Sequence, residues 1–314
     1  MTTKPDVQIT NAIMMVRPSR FCSNPQTIES NALQAQQGDA DDAAIQQQAL
    51  VEFDALVTAL CAAGIEVIVF DDAPKPVTPD ALFPNNWLST HADGTTVLYP
   101  MMAENRRLER DYDFLQRLQA DHRFRVNRLV ELSNFETKSH FLEGTGSLVL
   151  DRVNAIAYAS LSARTHPEII REFCNELEYQ EVTFHAVDET GVPYYHTNVF
   201  MCIARGVAIL CSESIVDDQE RSKVRESLAQ TDYEIVEINR AQVRAFAGNM
   251  IGLQTPDGDQ ILAMSSRAKD ALHENQLEIL QQYGHIITAS IDIIEKYSGG
   301  SVRCMIAELF LPRE

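Results

Sequence analysis

One pattern recurs along the chain at nearly constant spacing, and it restricts the fold more tightly than composition does. WLSTHADGTTVLYP (87–100) alternates around an Asp-Gly turn, the signature of a β-hairpin. A charged amphipathic stretch follows, ENRRLERDYDFLQRLQADH (104–122), and then a strand-like RVNRLVEL (125–132). Hairpin, helix and strand then return as 147–161, 166–179 and 181–187, as 198–215, 217–230 and 233–238, and as 250–264, 266–284 and 285–291. A fifth unit is split by the chain ends: CMIAELFLP (304–312) pairs with AIMMVRP (12–18), ahead of a helix over 43–64 and a strand over 65–71. The hairpins open near Trp87, Ser147, Asn198, Met250 and Cys304, at spacings of 60, 51, 52 and 54 residues. Five ββαβ units of similar length predict an α/β fold closed into a ring, a five-bladed α/β propeller around a central cavity. An open doubly wound sheet would instead alternate single strands with helices. Closure through the termini makes 1–314 one domain and protects the end units from edge pairing.

Charge narrows the partners. Against 45 Asp+Glu the chain has 26 Lys+Arg, a formal charge of −19, and no basic stripe interleaved with aromatics. That excludes nucleic acid and an anionic membrane surface as main partners. The first eighteen residues read as neither signal peptide nor anchor, and no run approaches the ~20 apolar residues of a membrane span. The six cysteines are scattered without a C-x-x-C pair, which reads as reduced thiols in a cytoplasmic protein. No cysteine or histidine cluster has metal-ligand spacing, so neither metal nor cofactor is expected.

The repeat also sorts the polar residues. Asn86, Glu143, His196, Asn249 and Cys304 stand at or just before the opening strands, offset by 57, 53, 53 and 55 residues. In a ring, equivalent positions converge on the axis, where Cys304, His196 and Glu143 would supply a thiol nucleophile, an acid/base and an orienting carboxylate. Each has a plainer reading. A cysteine in CMIAELF suits an inert core, a histidine beside two tyrosines suits a structural role, and Glu143 before Gly-Thr-Gly suits loop hydrogen bonds. Their shared phase favours the catalytic set. Gly299-Gly300 gives the chain freedom to turn just before Cys304. The remaining cysteines read as packing.

FLEGTGSLVL…AYASLSART, VPYYHTNVF and GGSVRC resemble the arginine deiminase, or pentein, superfamily of guanidino-group-modifying enzymes, over roughly Met14 to Pro312. VRPxxFxxNP, FPNNW and LEGTGSLVLDR are most similar to its citrulline-utilisation hydrolase branch. The resemblance implies Cys304 as nucleophile, His196 as acid/base and Glu143 as its orienting carboxylate. It places substrate-carboxylate arginines at Arg106, in PMMAENRRLER, and at Arg164, in the S-x-R-T element. Without it both arginines would read as solvated helix ends. An arginine suits the task because its planar fork grips a carboxylate at two points.

Two positions depart from the deiminase pattern. Asn86, with Asn85 as the register alternative, and Asn198 stand where deiminases carry carboxylates. A guanidinium offers only donors, whereas a neutral ureido group has a carbonyl acceptor that an amide N–H satisfies. The expectation is a cofactor-free hydrolase of a small ureido amino acid, citrulline to ornithine with carbon dioxide and ammonia, with Asn86 and Asn198 orienting the head group. Asn24 is a further candidate substrate contact. An arginine dihydrolase or deiminase is the alternative, with an amidinotransferase or dimethylarginine hydrolase less favoured. A non-catalytic amino-acid-binding scaffold is the rival of another class. The oligomeric state is open, a homo-oligomer included.

Overall fold

The computed structural model describes residues 7–35 and 42–313. Their strands, in chain order, are β1 (Ala12–Arg17), β2 (Glu66–Asp71), β3 (Leu88–Thr90), β4 (Thr95–Leu98) and β5 (Arg128–Glu131). Next come β6 (Val149–Asp151), β7 (Ile156–Ser160), β8 (Gln180–Phe184), β9 (Met201–Ile203) and β10 (Val207–Leu210). The last are β11 (Glu234–Glu237), β12 (Ile251–Gln254), β13 (Gln260–Ser265), β14 (His285–Ala289) and β15 (Ala307–Glu308). They form five three-stranded sheets: β15-β1-β2, β3-β4-β5, β6-β7-β8, β9-β10-β11 and β12-β13-β14. In each, the first pair is antiparallel and the second parallel. That is the order read from the sequence, with the two chain ends sharing one sheet.

Position in the sheet explains the residue pattern. The middle strand β10 is covered on both faces and is apolar throughout, with Val207, Ala208, Ile209 and Leu210 fully buried. Outer strands such as β11 alternate, burying Val236 while Glu234 and Glu237 reach solvent. The helix Pro167–Leu177 covers its sheet with Ile169, Ile170, Phe173, Cys174 and Leu177, spaced as one helical face. Burying Phe173 completely stabilises the fold by roughly 1.5–3 kcal/mol. The proline at its first turn and the left-handed Glu178 after it set its ends. Between sheets, β6 packs against β9, β9 against β12 and β15 against β3, without a ladder joining them.

Three expectations need correction. The stretch 104–122 is two helices, Glu104–Arg107 and Asp113–His122, because Arg107 and Arg110 turn inward to the Met101, Met102 and Tyr99 carbonyls and to Glu136. The stretch 266–284 breaks where Leu272 enters the core and His273 begins a second helix, its N–H bonding Gln276 Oε1 at 2.8 Å. Cys304 lies not on a strand but in the turn ahead of β15, where the Cys304 and Met305 amides both bond Ser301 O. Among the described residues no helix is long and apolar enough to cross a membrane. All six cysteines are free thiols; Cys174, Cys202 and Cys211 are packed, whereas Cys61 is exposed.

Candidate active site

Each sheet's first strand is entered through a turn, and the turns carry the polar residues. Asn86 ends the turn Pro84–Asn86 before β3, Glu143 precedes Gly144–Ser147 before β6, and His196 precedes Thr197–Val199 before β9. Asn249 stands two residues before β12, and Cys304 three before β15. Side-chain bonds fix the turns to one another. Ser147 Oγ accepts from Glu143 N at 3.0 Å and donates to Arg164 O at 2.8 Å, while Thr197 Oγ1 donates to Ser147 O at 2.6 Å.

Three of the turns line one small cavity, through Asn86, His196 and Cys304, and Arg106, Arg164 and Asp80 are part of the same lining. His196 Nε2 lies 2.8 Å from Glu143 Oε2, and Glu143 Oε1 accepts from Met102 N at 3.0 Å. Both side chains are sealed from solvent. Burial would raise the Glu143 pKa, but Arg164, His196 and Arg106 outweigh it and hold the carboxyl well below its ordinary range. For His196 burial wins over Glu143 and lowers the pKa to about 4, so the imidazole is neutral near pH 7. Nδ1 is then the ring atom left for chemistry. It faces Gly146, where a Cβ would stand 2.7 Å from it and 2.5 Å from Asn86 Nδ2.

Around the thiol the bonding groups are amides. Asn249 Nδ2 lies 3.2 Å from Cys304 Sγ, and the Asn198 amide borders the sulfur with Nδ2 at 3.6 Å and Oδ1 at 3.9 Å. Gly299, at φ +68°, closes the helix Asp292–Ser298 and releases the chain into the turn that presents the sulfur.

The two arginines differ. Arg106 bonds Glu109 through Nε and Nη2, each at 3.0 Å, and gives Nη1 to Asn86 Oδ1 at 2.8 Å. Arg164 gives Nη2 to Thr27 O and Ser30 Oγ and sets Nη1 3.5 Å from Glu143, but its buried Nε has no partner. Asp80 Oδ1 and Asn86 Nδ2 are likewise buried and unpartnered. Asn24 is fully buried behind the lining, its amide 2.7 Å from Asp80 Oδ2, and Asn85 is buried with both amide atoms unpartnered. Sequence reasoning misses Asp80 because it falls outside the repeat phase; Asn249 is in phase, but period alone attaches no chemistry to it.

The model of the eukaryotic N,N-dimethylarginine dimethylhydrolase family matches residues 17–311. No curated protein sequence matches. Among solved structures, ArgZ, an arginine dihydrolase from the ornithine-ammonia cycle in cyanobacteria, superposes with a TM-score of 0.74 at 17% identity, over 96% of this chain and 41% of that one. The chain thus spans about two-fifths of that protein, and it covers 99% of the separate N-terminal domain of ArgZ, with a TM-score of 0.71 at 18% identity. A dimethylarginine dimethylaminohydrolase variant, in adduct with S-methyl-L-thiocitrulline, gives a TM-score of 0.65 at 16% identity, over 96% of this chain and all of that one. At such identities the likeness concerns the fold, and the family model carries the assignment. The chain belongs to the N,N-dimethylarginine dimethylhydrolase family and, with it, to the pentein superfamily.

Proposed function

We propose that the protein hydrolyses a ureido amino acid, with citrulline cleaved to ornithine, carbon dioxide and ammonia. The observation that carries this reading is the orientation of Asn86. Arg106 has only donors, so Asn86 must turn Oδ1 toward it, and the group left without a partner on this cavity-lining residue is the Nδ2 donor. A ureido carbonyl accepts from that donor. A guanidinium would set donor against donor and leave both unpaired, at a cost of ~1–3 kcal/mol or more.

The other end of the substrate matches the remaining unpartnered atoms. Arg164 Nε suits an α-carboxylate and Asp80 Oδ1 an α-ammonium. In this reading Arg106 acts chiefly by fixing Asn86. His196 Nδ1 takes the Cys304 thiol proton as sulfur attacks the ureido carbon. The C–N bond breaks and the imidazolium, held by Glu143, returns that proton to the departing amine. Water then adds to the S-carbamoyl carbon, giving a proton to the now neutral His196; the C–S bond breaks, its electron pair returns to sulfur, and the imidazolium restores the thiol proton. The released carbamate decomposes to carbon dioxide and ammonia. The five sheets act as blades of one catalytic domain around this cavity, in a soluble cytoplasmic enzyme that needs no cofactor.

An arginine dihydrolase is the second reading, favoured by the Asp80 carboxylate in the lining and the fold shared with ArgZ. Incubation with citrulline, arginine, dimethylarginine and agmatine, with products separated, decides between them. Ornithine from citrulline, with arginine inert, is the expected result. Citrulline or ornithine from arginine, with free citrulline untouched, rejects the ureido reading.

A further inference from the structure

Asn249 approaches the nucleophile from outside the cavity lining. Its Nδ2 lies 3.2 Å from Cys304 Sγ and 2.9 Å from the Asn198 carbonyl oxygen. The second contact settles which way the amide faces: flipped, Oδ1 would meet another oxygen. One N–H therefore donates to the carbonyl and the other to sulfur. The position is built, not incidental. Phe246 turns the chain at φ +62°, Asn249 N bonds Phe246 O at 2.8 Å, and Arg303 N reaches Asn249 O at 3.4 Å. Gly248 slides beneath Phe200, where a Cβ would stand 2.6 Å from the Phe200 Cα. Asn249 is 1% exposed, so no water competes for its donors.

We infer that Asn249 is a catalytic residue whose amide N–H stabilises the negative charge that develops on the Cys304 sulfur. This rests on the reading of Cys304 as nucleophile. Sulfur carries negative charge twice in the cycle, once as it attacks and once when the C–S bond breaks and its electron pair returns. A donor already aimed at Sγ bonds the anion more strongly than the thiol or the thioester, so it lowers both barriers. Asn198 contributes less, because its amide lies side-on to the sulfur with nitrogen and oxygen at similar distances.

The test uses iodoacetamide alkylation, followed at the Cys304 peptide by mass spectrometry across pH 5–10, in wild type, Asn249→Ala and Asn249→Asp. One hydrogen bond to a charged group corresponds to about tenfold or more in the rate of a step that develops that charge. Alkylation of both variants should slow by at least about that factor across the profile, and kcat should fall with KM little changed. Alkylation profiles of folded variants that superimpose on wild type overturn the inference. Wild-type protein labelled with 15N-asparagine gives a reading independent of variant folding. The side-chain amides of Asn198 and Asn249 should both shift when Cys304 is alkylated, and an unmoved Asn249 amide overturns it too. Because alkylation needs no substrate, slowed alkylation of the variants in an enzyme inert to citrulline rejects the substrate and keeps the inference.

Discussion

Arg106 and Glu109 meet fork to fork, Nε and Nη2 each 3.0 Å from one of the two carboxylate oxygens, both side chains sealed from water. Burial disfavours the guanidinium charge, yet Glu109, Asp80 and Glu143 together hold its pKa above the ordinary arginine value. Removing one member of such a pair strands the other, at a cost of ~3–5 kcal/mol. Arg106→Met should therefore fail mainly in stability. Arg164→Lys loses the unpartnered Nε and the fork geometry but keeps a cation, so it should stay folded and raise KM about tenfold. Melting curves set beside Michaelis constants test the contrast, and an Arg164→Lys enzyme of unchanged KM removes Arg164 from carboxylate binding.

Asn86→Asp keeps the oxygen that Arg106 holds and turns the free donor into an acceptor. The loss of a buried donor corresponds to ~1–3 kcal/mol, about 5–150-fold in kcat/KM for a ureido substrate. Guanidino substrates should lose less or improve. The ratio of the two specificity constants is the measurement; an unchanged ratio would falsify the donor argument.

Much of this was legible in the sequence, because strand, turn and helix signals repeat in one order and because turns occupying equivalent places carry the polar residues of the candidate site. The Glu143–His196 contact at 2.8 Å joins residues 53 apart that share a phase. What period could not reveal is how each group is spent. Arg106 and Arg164 look alike in the sequence, yet Glu109, three residues on, consumes the fork of one while the other keeps Nε free. Asp80 was hidden for a different reason: it reaches the cavity from the segment after β2, ahead of the repeated turn. The helix breaks at 108–112 and 272–273 were hidden because inward-facing arginines and a core leucine override local helical preference.

Acid should destabilise the protein through His196. Its folded-state pKa of about 4 lies below the unfolded value near 6.5, so between them the unfolded chain binds the extra proton. The stability that neutral His196 confers is complete above pH ~6.5 and declines as pH falls to about 4, by on the order of 3 kcal/mol. Glu143, also depressed, adds its own loss below about pH 4.5, where the unfolded chain takes up the carboxyl proton. His196→Gln should flatten the melting temperature against pH between 6.5 and 4.5. A wild-type slope retained in that variant assigns the acid sensitivity elsewhere.

Gly146→Ala places a methyl in the gap shared by the two groups that would face the substrate head. Its Cβ would stand 2.7 Å from His196 Nδ1 and 2.5 Å from Asn86 Nδ2, closer than real contacts allow. Neither side chain swings freely, since Glu143 holds the imidazole and Arg106 holds the amide. A displacement of about 1 Å at reacting groups costs on the order of a hundredfold in rate. The variant should therefore lose kcat by about that factor. Alkylation of Cys304 should be less affected, because the sulfur's contacts to Asn249 and Asn198 lie on other turns. Turnover and alkylation measured on one preparation separate the two effects, and a Gly146→Ala enzyme of full activity would show that His196 and Asn86 need no such clearance.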